Sequence, residues 1–451
     1  MIACPLQALQ MVAQGVACGH RPFRWPGSAA PWVACGLLIG ARGEAMTGSE
    51  QDAAPEPGSA EWLAVEWRGM QRRMLACIAT RSSEMVDRPL LVDTSLYTDP
   101  ARHRAERERL FMREPLLAGF SSQLPEPGCV LHFEAFGPPV FVLRREDGGL
   151  DAFRNVCPHR GARLVTGARI GSGVVCPFHA WRFGADGRLQ SRPQEAAFAC
   201  EGPAPELTRL PVAERYGLVF LRLDPAGEPI DVDAFLGPMA PLIRGFGLAA
   251  AQHVRTDAVV TEANWKLVVD VSCEGYHVPA THPTTLSPQL VPFITIHDSF
   301  GRHHRFASPA RRMQEWVGMP EEDWPVSHYS AVHYLFPNTI LTYSDAIDGG
   351  LPVIALNRSF PGEHIGETTV LYSSYRPASA AELPEEAFMA LHEAVLGINL
   401  SEDLPMVGRA WDNYQRLPAP SRLVFGRNEM LLQRYHVDVA ETVGMPLRLP
   451  A

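Results

Sequence analysis

Two short motifs of cysteine and histidine constrain this chain more than any other feature of its sequence. The first is Cys157-Pro-His159, and after sixteen further residues the second, Cys176-Pro-Phe-His179, is closed by Trp181. Structural zinc sites usually pair cysteine with cysteine on one arm and histidine with histidine on the other. Here each arm carries one thiolate and one imidazole. The pattern therefore disfavours a zinc finger and predicts two loops that hold one metal group between them.

This order of ligands suits a binuclear iron–sulfur cluster whose two irons differ. Both arms would give a thiolate to one iron and an imidazole to the other, as in Rieske [2Fe-2S] centres. Neutral imidazole donates less charge than thiolate, so the reduction potential lies well above that of a four-cysteine ferredoxin. We predict Cys157, His159, Cys176 and His179 as the cluster ligands. A zinc-stabilised interaction protein is the alternative, and absorption colour would exclude it.

A second group of metal-binding residue types lies later in the chain. A predicted helix over residues 263–276 opens with Asn264 and runs into His277, and His282 follows beyond Pro279. Two histidines at this spacing cannot share one face of a regular helix. We expect Pro279 to bend the chain, so that both rings converge. With a carboxylate from elsewhere, the histidines would form the 2-His-1-carboxylate triad of non-haem Fe(II) oxygenases.

The third ligand is expected where Glu402 and Asp403 begin another predicted helix. We choose Asp403 as the ligand, with Glu402 as the alternative. A purely structural role is also open, in which this acid pair only caps the N-terminus of the helix. Glu274 lies one helical turn before His277 and could accept a hydrogen bond from the ring nitrogen that faces away from the metal. Asp270, one turn further back, could do the same or lie at the surface.

Together these motifs resemble the large (alpha) subunits of aromatic-ring-hydroxylating Rieske oxygenases. The resemblance includes the CxHR and CPxHxW arms, the NWK run at 264–266, the two spaced histidines and the acid pair, and it covers residues from about 88 to 440. It implies an α+β fold, in which an all-β Rieske [2Fe-2S] domain is joined to a helix-grip catalytic domain. In that domain an antiparallel sheet with flanking helices surrounds a mononuclear Fe(II) site.

The resemblance also implies how such subunits work together. They form trimers, with or without a small beta subunit, and an electron crosses between neighbours through an acid that joins two histidines. Here these residues would be His179, Glu274 and His277. The electrons come from NAD(P)H through a ferredoxin, a flavin reductase or both. Aspartate is more usual at the bridge, and the glutamate occurs in relatives that act on quaternary amines.

Hydrophobic patterning divides the chain into four segments. We expect an N-terminal extension at 1–45 that is disordered or precedes the true start, and we favour a start at Met46. A helical segment at 46–117 should pack on the catalytic domain. Short strands between turn signals predict the Rieske domain at 118–238, and mixed strand and helix patterns predict the catalytic domain at 239–451.

Composition excludes several classes of protein. A net charge of −10 argues against a nucleic-acid partner, and no apolar run approaches the roughly 18 residues of a membrane helix. Nine cysteines in 451 residues are too sparse for a secreted disulfide framework, so we expect a reducing cytoplasm. Residues 154–188 hold six arginines against one acid, which predicts either a solvated surface or a docking site for an acidic electron-transfer partner.

The expected function is that of a terminal oxygenase that uses O2 and NAD(P)H-derived electrons to hydroxylate a small aromatic substrate. One alternative is a monooxygenase or demethylase acting on a quaternary ammonium compound, which an aromatic cage would hold. Another is a Rieske electron carrier, which has no use for a second metal site. Six residues are candidates for the pocket, and the last two could meet a carboxylate: Tyr334, Phe336, Asn338, Tyr343, Arg358 and Tyr375.

Overall fold

The computed structural model describes residues 54–171, 173–198, 203–325, 329–344, 351–418 and 420–447. The predicted extension at 1–45 and the start at Met46 lie outside these residues. Helix α1 (Ala60–Thr80) lies in the segment 46–117 that was predicted to be helical, and the Ser59 side chain caps it by accepting a hydrogen bond from the amide of Trp62. Its buried face includes Trp67 and Met74, which pack into one of the hydrophobic cores.

The second predicted helix, expected over residues 101–114, is shorter and irregular. After β1 (Leu90–Asp93) and the single turn α2 (Ser95–Thr98), helix α3 (Pro100–Ala105) begins behind the cap residue Asp99. It continues as a π-helical turn at Glu106–Phe111. This turn directs the side chain of Glu106 into the protein interior, where it is fully buried.

The next part of the chain is an all-β module built from two small antiparallel sheets. The first sheet has the order β3-β4-β5-β9 and the second the order β6-β7-β8. One cluster arm follows β5, and the other forms the tip of the β6–β7 hairpin, so the arms come from different sheets. The strands are β3 (Val130–Phe133), β4 (Val140–Arg144), β5 (Leu150–Arg154), β6 (Gly173–Val175), β7 (Arg182–Gly184), β8 (Leu189–Ser191) and β9 (Arg209–Leu210).

A third sheet closes the β module where the chain enters and leaves it. Strand β2 (Leu116–Phe120) pairs antiparallel with β11 (Leu218–Leu221), which also pairs with β10 (Val212–Arg215). All five residues of β2 are buried. The two short helices α4 (Val232–Leu236) and α5 (Ala240–Gly245) then lead into the second domain.

The second domain is a seven-stranded antiparallel sheet with the order β12-β18-β17-β16-β15-β14-β13. This sheet and the helices beside it confirm the predicted α+β class. Its strands are β12 (Gln252–Thr261), β13 (Ile296–Phe300), β14 (His303–Ala307), β15 (Ser330–Leu335), β16 (Thr339–Ser344), β17 (Val353–Pro361) and β18 (Thr368–Arg376), and β19 (Arg422–Phe425) pairs with β1. The helices are α6 (Trp265–Asp270), α7 (Val278–Thr281), α8 (Glu385–Ile398), α9 (Leu404–Tyr414) and α10 (Met430–Val443).

Two predicted helices of this domain differ from the structure. The helix expected over 263–276 ends at Asp270, because Ser272 and Gly275 favour helix poorly. Pro279 does not break a helix but lies near the start of α7, where its missing N–H costs no hydrogen bond. A π-helical turn, Asn399–Asp403, joins α8 to α9, so the acid pair lies inside a continuous helix and does not cap one.

Among the described residues, no helix is both long enough and apolar enough to cross a membrane.

Three histidines around the seven-stranded sheet are held neutral. Burial lowers the pKa of His303 to about 4 and the pKa of His297 and His333 to about 3. Both ring nitrogens of neutral His303 form hydrogen bonds. Its Nε2 donates to the carbonyl of Phe235 at 2.7 Å, and its Nδ1 accepts from the amide of Phe336 at 3.1 Å.

We expect the free energy of unfolding to fall as the pH drops from about 6.5 to about 4, because the unfolded chain protonates these histidines first. Each histidine contributes a slope of up to about 1.4 kcal/mol per pH unit. Denaturant unfolding across this range measures the slope. His303→Gln should flatten it, whereas His132→Gln, at a half-exposed ring, is the matched control. Equal slopes in the wild type and in both variants would contradict the assignment of His303 as a histidine that is held neutral in the folded protein.

Candidate metal centres

Two loops of matching geometry form the first candidate centre. The amide of Gly161 donates to the carbonyl of Cys157 at 2.9 Å, and the amide of Ala180 donates to the carbonyl of Cys176 at 3.0 Å. Gly161 (φ 76°) and Ala180 (φ 55°) both take the left-handed conformation, four residues after the respective cysteine. Each loop is thus a tight turn that directs its cysteine and histidine to the same side.

The loops bring the four predicted cluster ligands together. The ring centroids of His159 and His179 lie 4.6 Å apart, and both cysteine thiols are buried. Burial raises the pKa of the Cys157 thiol, which also contacts Cys176. The Nδ1 atoms of both histidines are buried without a hydrogen-bond partner among the described residues. Because such atoms are costly to leave unpaired, two thiols and two free imidazole nitrogens fit a two-iron cluster with mixed ligands.

Aromatic side chains pack against both histidines of this centre. Trp181 stacks on His159 with the ring centroids 4.7 Å apart, and Phe198 packs edge-on against both rings. Phe178 contacts His179 on the other side and is 54% exposed. Phe198 was not predicted as part of this centre, because nothing in its spacing connects it with the two motifs. The centre therefore has a packed inner side and an outer edge that another protein can reach.

The arginine-rich segment around the motifs is less positive than its sequence predicts. Arg163 pairs with Glu134 at 2.5 Å, and Arg169 pairs with Glu126 at 2.7 Å. Arg188 lies 3.8 Å from Glu206. These acids lie outside the segment 154–188 and offset half of its six arginines. A docking role for this surface stays a prediction.

The second candidate centre contains the three predicted iron ligands. The Nε2 atom of His282 lies 2.9 Å from Oδ1 of Asp403, and Nε2 of His277 lies 3.7 Å from the same oxygen. This Oδ1 atom is buried and forms no hydrogen bond of acceptable geometry with the described residues. One ligand atom from each residue lies within 4.8 Å of the others. Two imidazole nitrogens and one carboxylate oxygen gathered within this distance fit the facial triad of a mononuclear iron site.

Glu274 holds the first of the two triad histidines. Its Oε1 atom lies 2.5 Å from Nδ1 of His277, and its Oε2 atom accepts hydrogen bonds from the amides of Tyr276 and His277. The predicted contact with His277 is therefore present, although a tight turn and not a helix provides it. A carboxylate at Nδ1 fixes the ring tautomer and leaves Nε2 free for a metal.

Glu402 holds the second histidine in the same way. Its Oε2 atom lies 2.5 Å from Nδ1 of His282 and accepts the hydroxyl of Thr285 at 2.7 Å. This position at the far side of the imidazole disfavours Glu402 as the third ligand, and Asp403 stays the predicted one. Thr285 was not found from the sequence, and its place three residues after His282 is the only signal that could have indicated it.

Asp270 belongs to a different network. Its carboxylate accepts hydrogen bonds from the hydroxyls of Tyr97 and Tyr435 and lies 3.0 Å from Nε2 of His436. These contacts occupy both oxygens and leave Asp270 out of the iron site. The predicted catalytic role is corrected to that of an anchor at the end of α6.

A small cavity of about 10 Å³ lies between α6, the sheet and the junction of α8 with α9. Asn399 and Leu404, which flank Asp403, line it. Burial raises the pKa of Tyr372, another lining residue, and the charge of Asp403 raises it further. A second cavity of about 10 Å³ lies against Pro279 and Phe293. Each cavity has room for about one water molecule, so neither holds a substrate in this structure.

The six pocket residues expected from the sequence do not line this cavity. The Tyr334 hydroxyl donates to the carbonyl of Pro337, and the Asn338 amide donates to the carbonyl of Ser359. The others are equally engaged in the core: Phe336 over Arg302, Tyr343 stacked on Phe246, Arg358 on the carbonyls of Leu117 and Ala118, and Tyr375 on Gln123. Strand composition alone did not show which face of each strand meets the iron site.

Comparison with known proteins agrees with this geometry. The profile of the Rieske [2Fe-2S] domain family matches residues 114–211, and the profile of the ring hydroxylating alpha subunit (catalytic domain) matches residues 248–445.

Three curated relatives have similar sequences. The glycine betaine monooxygenase oxygenase subunit of Chromohalobacter salexigens is 32% identical over 42% of this chain and 43% of its own length. The carnitine monooxygenase oxygenase subunit of Escherichia coli is 30% identical over 49% and 60%, and the chloroplastic choline monooxygenase of Amaranthus tricolor is 30% identical over 41% and 43%. The chain thus matches about half the length of these relatives.

Solved structures with the same fold come from two groups. A quaternary ammonium Rieske monooxygenase in complex with L-carnitine superposes with a TM-score of 0.65 at 21% identity, over 78% of this chain and 95% of that one. A naphthalene 1,2-dioxygenase variant bound to phenanthrene superposes with a TM-score of 0.63 at 19% identity, over 78% and 92%. Since both profiles match in the expected order and the fold agrees, the chain belongs to the Rieske non-haem iron oxygenases, as an alpha subunit with a Rieske [2Fe-2S] domain and a mononuclear iron catalytic domain.

Proposed function

We propose that this chain is the terminal oxygenase subunit of a Rieske monooxygenase that oxidises a small quaternary ammonium compound. The observation that carries the proposal is the triad, in a chain whose relatives at 30 to 32% identity are glycine betaine, carnitine and choline monooxygenases. Glu274 supports it, because the resemblance connects glutamate at this position with quaternary amines. This substrate class replaces the aromatic substrate expected from the sequence.

The residues of the second centre have separate roles in this proposal. His277, His282 and Asp403 would hold an iron ion, which when bound supplies the activation of O2. Glu274 and Glu402 keep both imidazoles turned with Nε2 towards the ion.

The Rieske centre would hold its [2Fe-2S] cluster through Cys157, His159, Cys176 and His179, and this cluster supplies one-electron transfer. We propose that its outer edge contacts the surface at Glu274 of a neighbouring copy. Both surfaces expose aromatic side chains: Phe178 beside His179 is 54% exposed, and Tyr276 and Phe293 near Glu274 are 58% and 54% exposed. Such head-to-tail contacts close into a ring, here a trimer.

The remaining partners follow from the same proposal. Electrons would come from NAD(P)H through a ferredoxin, a flavin reductase or both, and the assembly would be a homotrimer or would include beta subunits. A reducing cytoplasm suits the five cysteines of the described residues, which form no disulfide.

A second candidate function is the hydroxylation of an uncharged ring compound. The naphthalene 1,2-dioxygenase variant bound to phenanthrene has the same fold as this chain, with a TM-score of 0.63. The fold by itself is therefore compatible with both substrate classes.

A panel of substrates distinguishes the two functions. The cluster is reduced without oxygen, and its oxidation is followed after O2 is added together with each compound. We expect quaternary ammonium compounds to trigger oxidation of the cluster, because the resemblance implies that substrate binding and reduction together activate the iron. A response to neutral aromatic compounds alone would replace the proposed function with the second candidate.

The ligand assignment predicts different iron contents for two neighbouring variants. Asp403→Ala should lower the iron content from about three to about two atoms per chain, because it removes a ligand and leaves the cluster intact. Glu402→Gln should retain the third iron with about 10- to 100-fold weaker affinity, since it changes only the residue behind His282. Elemental analysis and the visible spectrum measure both effects. Loss of the third iron only in the Glu402 variant would reverse the assignment.

The bridging role of Glu274 predicts a defect in electron delivery. Glu274→Gln should weaken iron binding as much as Glu402→Gln does; in iron-saturated protein it should also slow the oxidation of the reduced cluster in a single turnover, because a neutral amide replaces the carboxylate between His277 and the neighbouring copy. Glu402→Gln is the matched control, since it makes the same change behind the other histidine. Equal rates in the two variants would count against the bridge.

A further inference from the structure

The two carboxylates behind the candidate iron ligands are held in different ways. Glu274 accepts hydrogen bonds on Oε2 from the backbone amides of Tyr276 and His277, and its Oε1 atom lies 2.5 Å from Nδ1 of His277. Every residue except proline carries a backbone amide, so these two donors do not depend on a particular side chain. The support behind His277 is therefore part of its own turn.

Glu402 depends on a side chain instead. Its Oε2 atom lies 2.5 Å from Nδ1 of His282 and accepts the hydroxyl of Thr285 at 2.7 Å. Glu402 lies on the π-helical turn between α8 and α9, whereas Thr285 follows α7, 117 residues earlier in the chain. Among the described residues, His282 and Thr285 are the two hydrogen-bond partners of this carboxylate. The support behind His282 therefore requires one hydroxyl from a distant segment.

Thr285 is itself held in a fixed place. Its side chain is buried, and its carbonyl accepts a hydrogen bond from the side chain of Gln289 at 3.3 Å. The amide of Ser287 donates to the carbonyl of His282 at 3.0 Å, which closes the turn that contains Thr285. A β-branched side chain in such a turn has few rotamers. The hydroxyl of Thr285 thus has little freedom to leave the carboxylate.

The place of Glu402 matters because its neighbour is Asp403, an acid of the same chemistry. Oδ1 of Asp403 lies 2.9 Å from Nε2 of His282, whereas Oε2 of Glu402 lies at Nδ1 on the far side of the ring. If Glu402 left Nδ1, it would no longer fix the tautomer of the imidazole, and its carboxylate would be free to compete with Asp403 for a metal ion.

We infer that Thr285 is a positioning residue of the iron site, whose hydroxyl holds Glu402 behind His282 and so leaves Asp403 as the carboxylate that binds the ion. This inference rests on the proposed function, which assigns the three ligands, and it adds a residue that is not itself a ligand. Thr285 acts through Glu402.

Ferrous iron alone is the probe. The mononuclear iron is removed with a chelator from protein that keeps its cluster, and the binding of Fe(II) is titrated without oxygen. Thr285→Val keeps the shape of the side chain and removes the hydroxyl, so it should weaken Fe(II) binding by about three- to tenfold. This is a part of the about 10- to 100-fold that a residue directly behind a ligand contributes. Thr285→Ser retains a hydroxyl and should restore the affinity of the wild type.

Two further proteins separate positioning from a general loss of stability. Thr368→Val is the matched control, because Thr368 is also buried and its hydroxyl donates at 2.7 Å to the carbonyl of Ala263, away from Glu402. It should unfold more easily and bind Fe(II) as the wild type does. In protein that carries Glu402→Ala, Thr285→Val should cause no further loss of Fe(II) affinity, because the carboxylate that Thr285 holds is gone.

The possible failures are distinct. If Thr285→Val binds Fe(II) as tightly as the wild type, or if it weakens binding equally with and without the Glu402 carboxylate, the inference is overturned while the proposed function stands. The same holds if Thr285→Ser does not restore the affinity, or if Thr368→Val lowers it as much. If the wild type itself takes up no Fe(II) beyond its cluster, the proposed function is overturned together with the inference.

Discussion

Helix α6 is fixed at both ends by buried polar contacts, and the iron site depends on it. At its start, Nζ of Lys266 lies 2.6 and 2.7 Å from the oxygens of Glu106, which also accepts from Trp265 at 2.9 Å. At its end, Asp270 is held by two tyrosine hydroxyls and His436. Removing one partner of a buried ion pair costs about 3–5 kcal/mol. The segment with His277 and His282 follows this helix, so a helix that contains neither ligand sets their position.

Buried polar contacts also hold the rest of the site in place. Carboxylates at 274 and 402 hold the two imidazoles from behind, and Asp403 reaches them from a helix more than a hundred residues later. Arg358 joins the strand that enters the β module to the sheet that carries the cavity. The candidate iron ligands, the catalytic sheet and the Rieske module are thus connected through buried polar contacts, which are costly to break singly. These contacts keep the ligand geometry rigid in a domain whose iron-binding segments are mostly short turns.

Motifs that are local in sequence could be interpreted correctly without coordinates. The two cluster arms and α1 follow from ligand chemistry and from helical periodicity, both of which act over a few residues. The choice of Asp403 over Glu402 could not be derived in that way, because adjacent acids are alike in chemistry and only the π-helical turn determines which side each one faces. Asp270 and the six expected pocket residues were misplaced because their partners, such as Tyr435 and Gln123, are far away in the chain.

The sequence by itself determined the two metal-binding chemistries, the α+β class and the family, because these depend on residue types at short, regular spacings. Only the tertiary structure decided which of the two adjacent carboxylates lies near the Nε2 atoms of both histidines and which contacts an Nδ1 atom, and which groups Arg358 contacts. These outcomes depend on contacts between segments that are distant in the chain, and on the requirement that each buried polar atom finds a partner. No local pattern encodes that requirement, since it is satisfied only when the whole chain has folded.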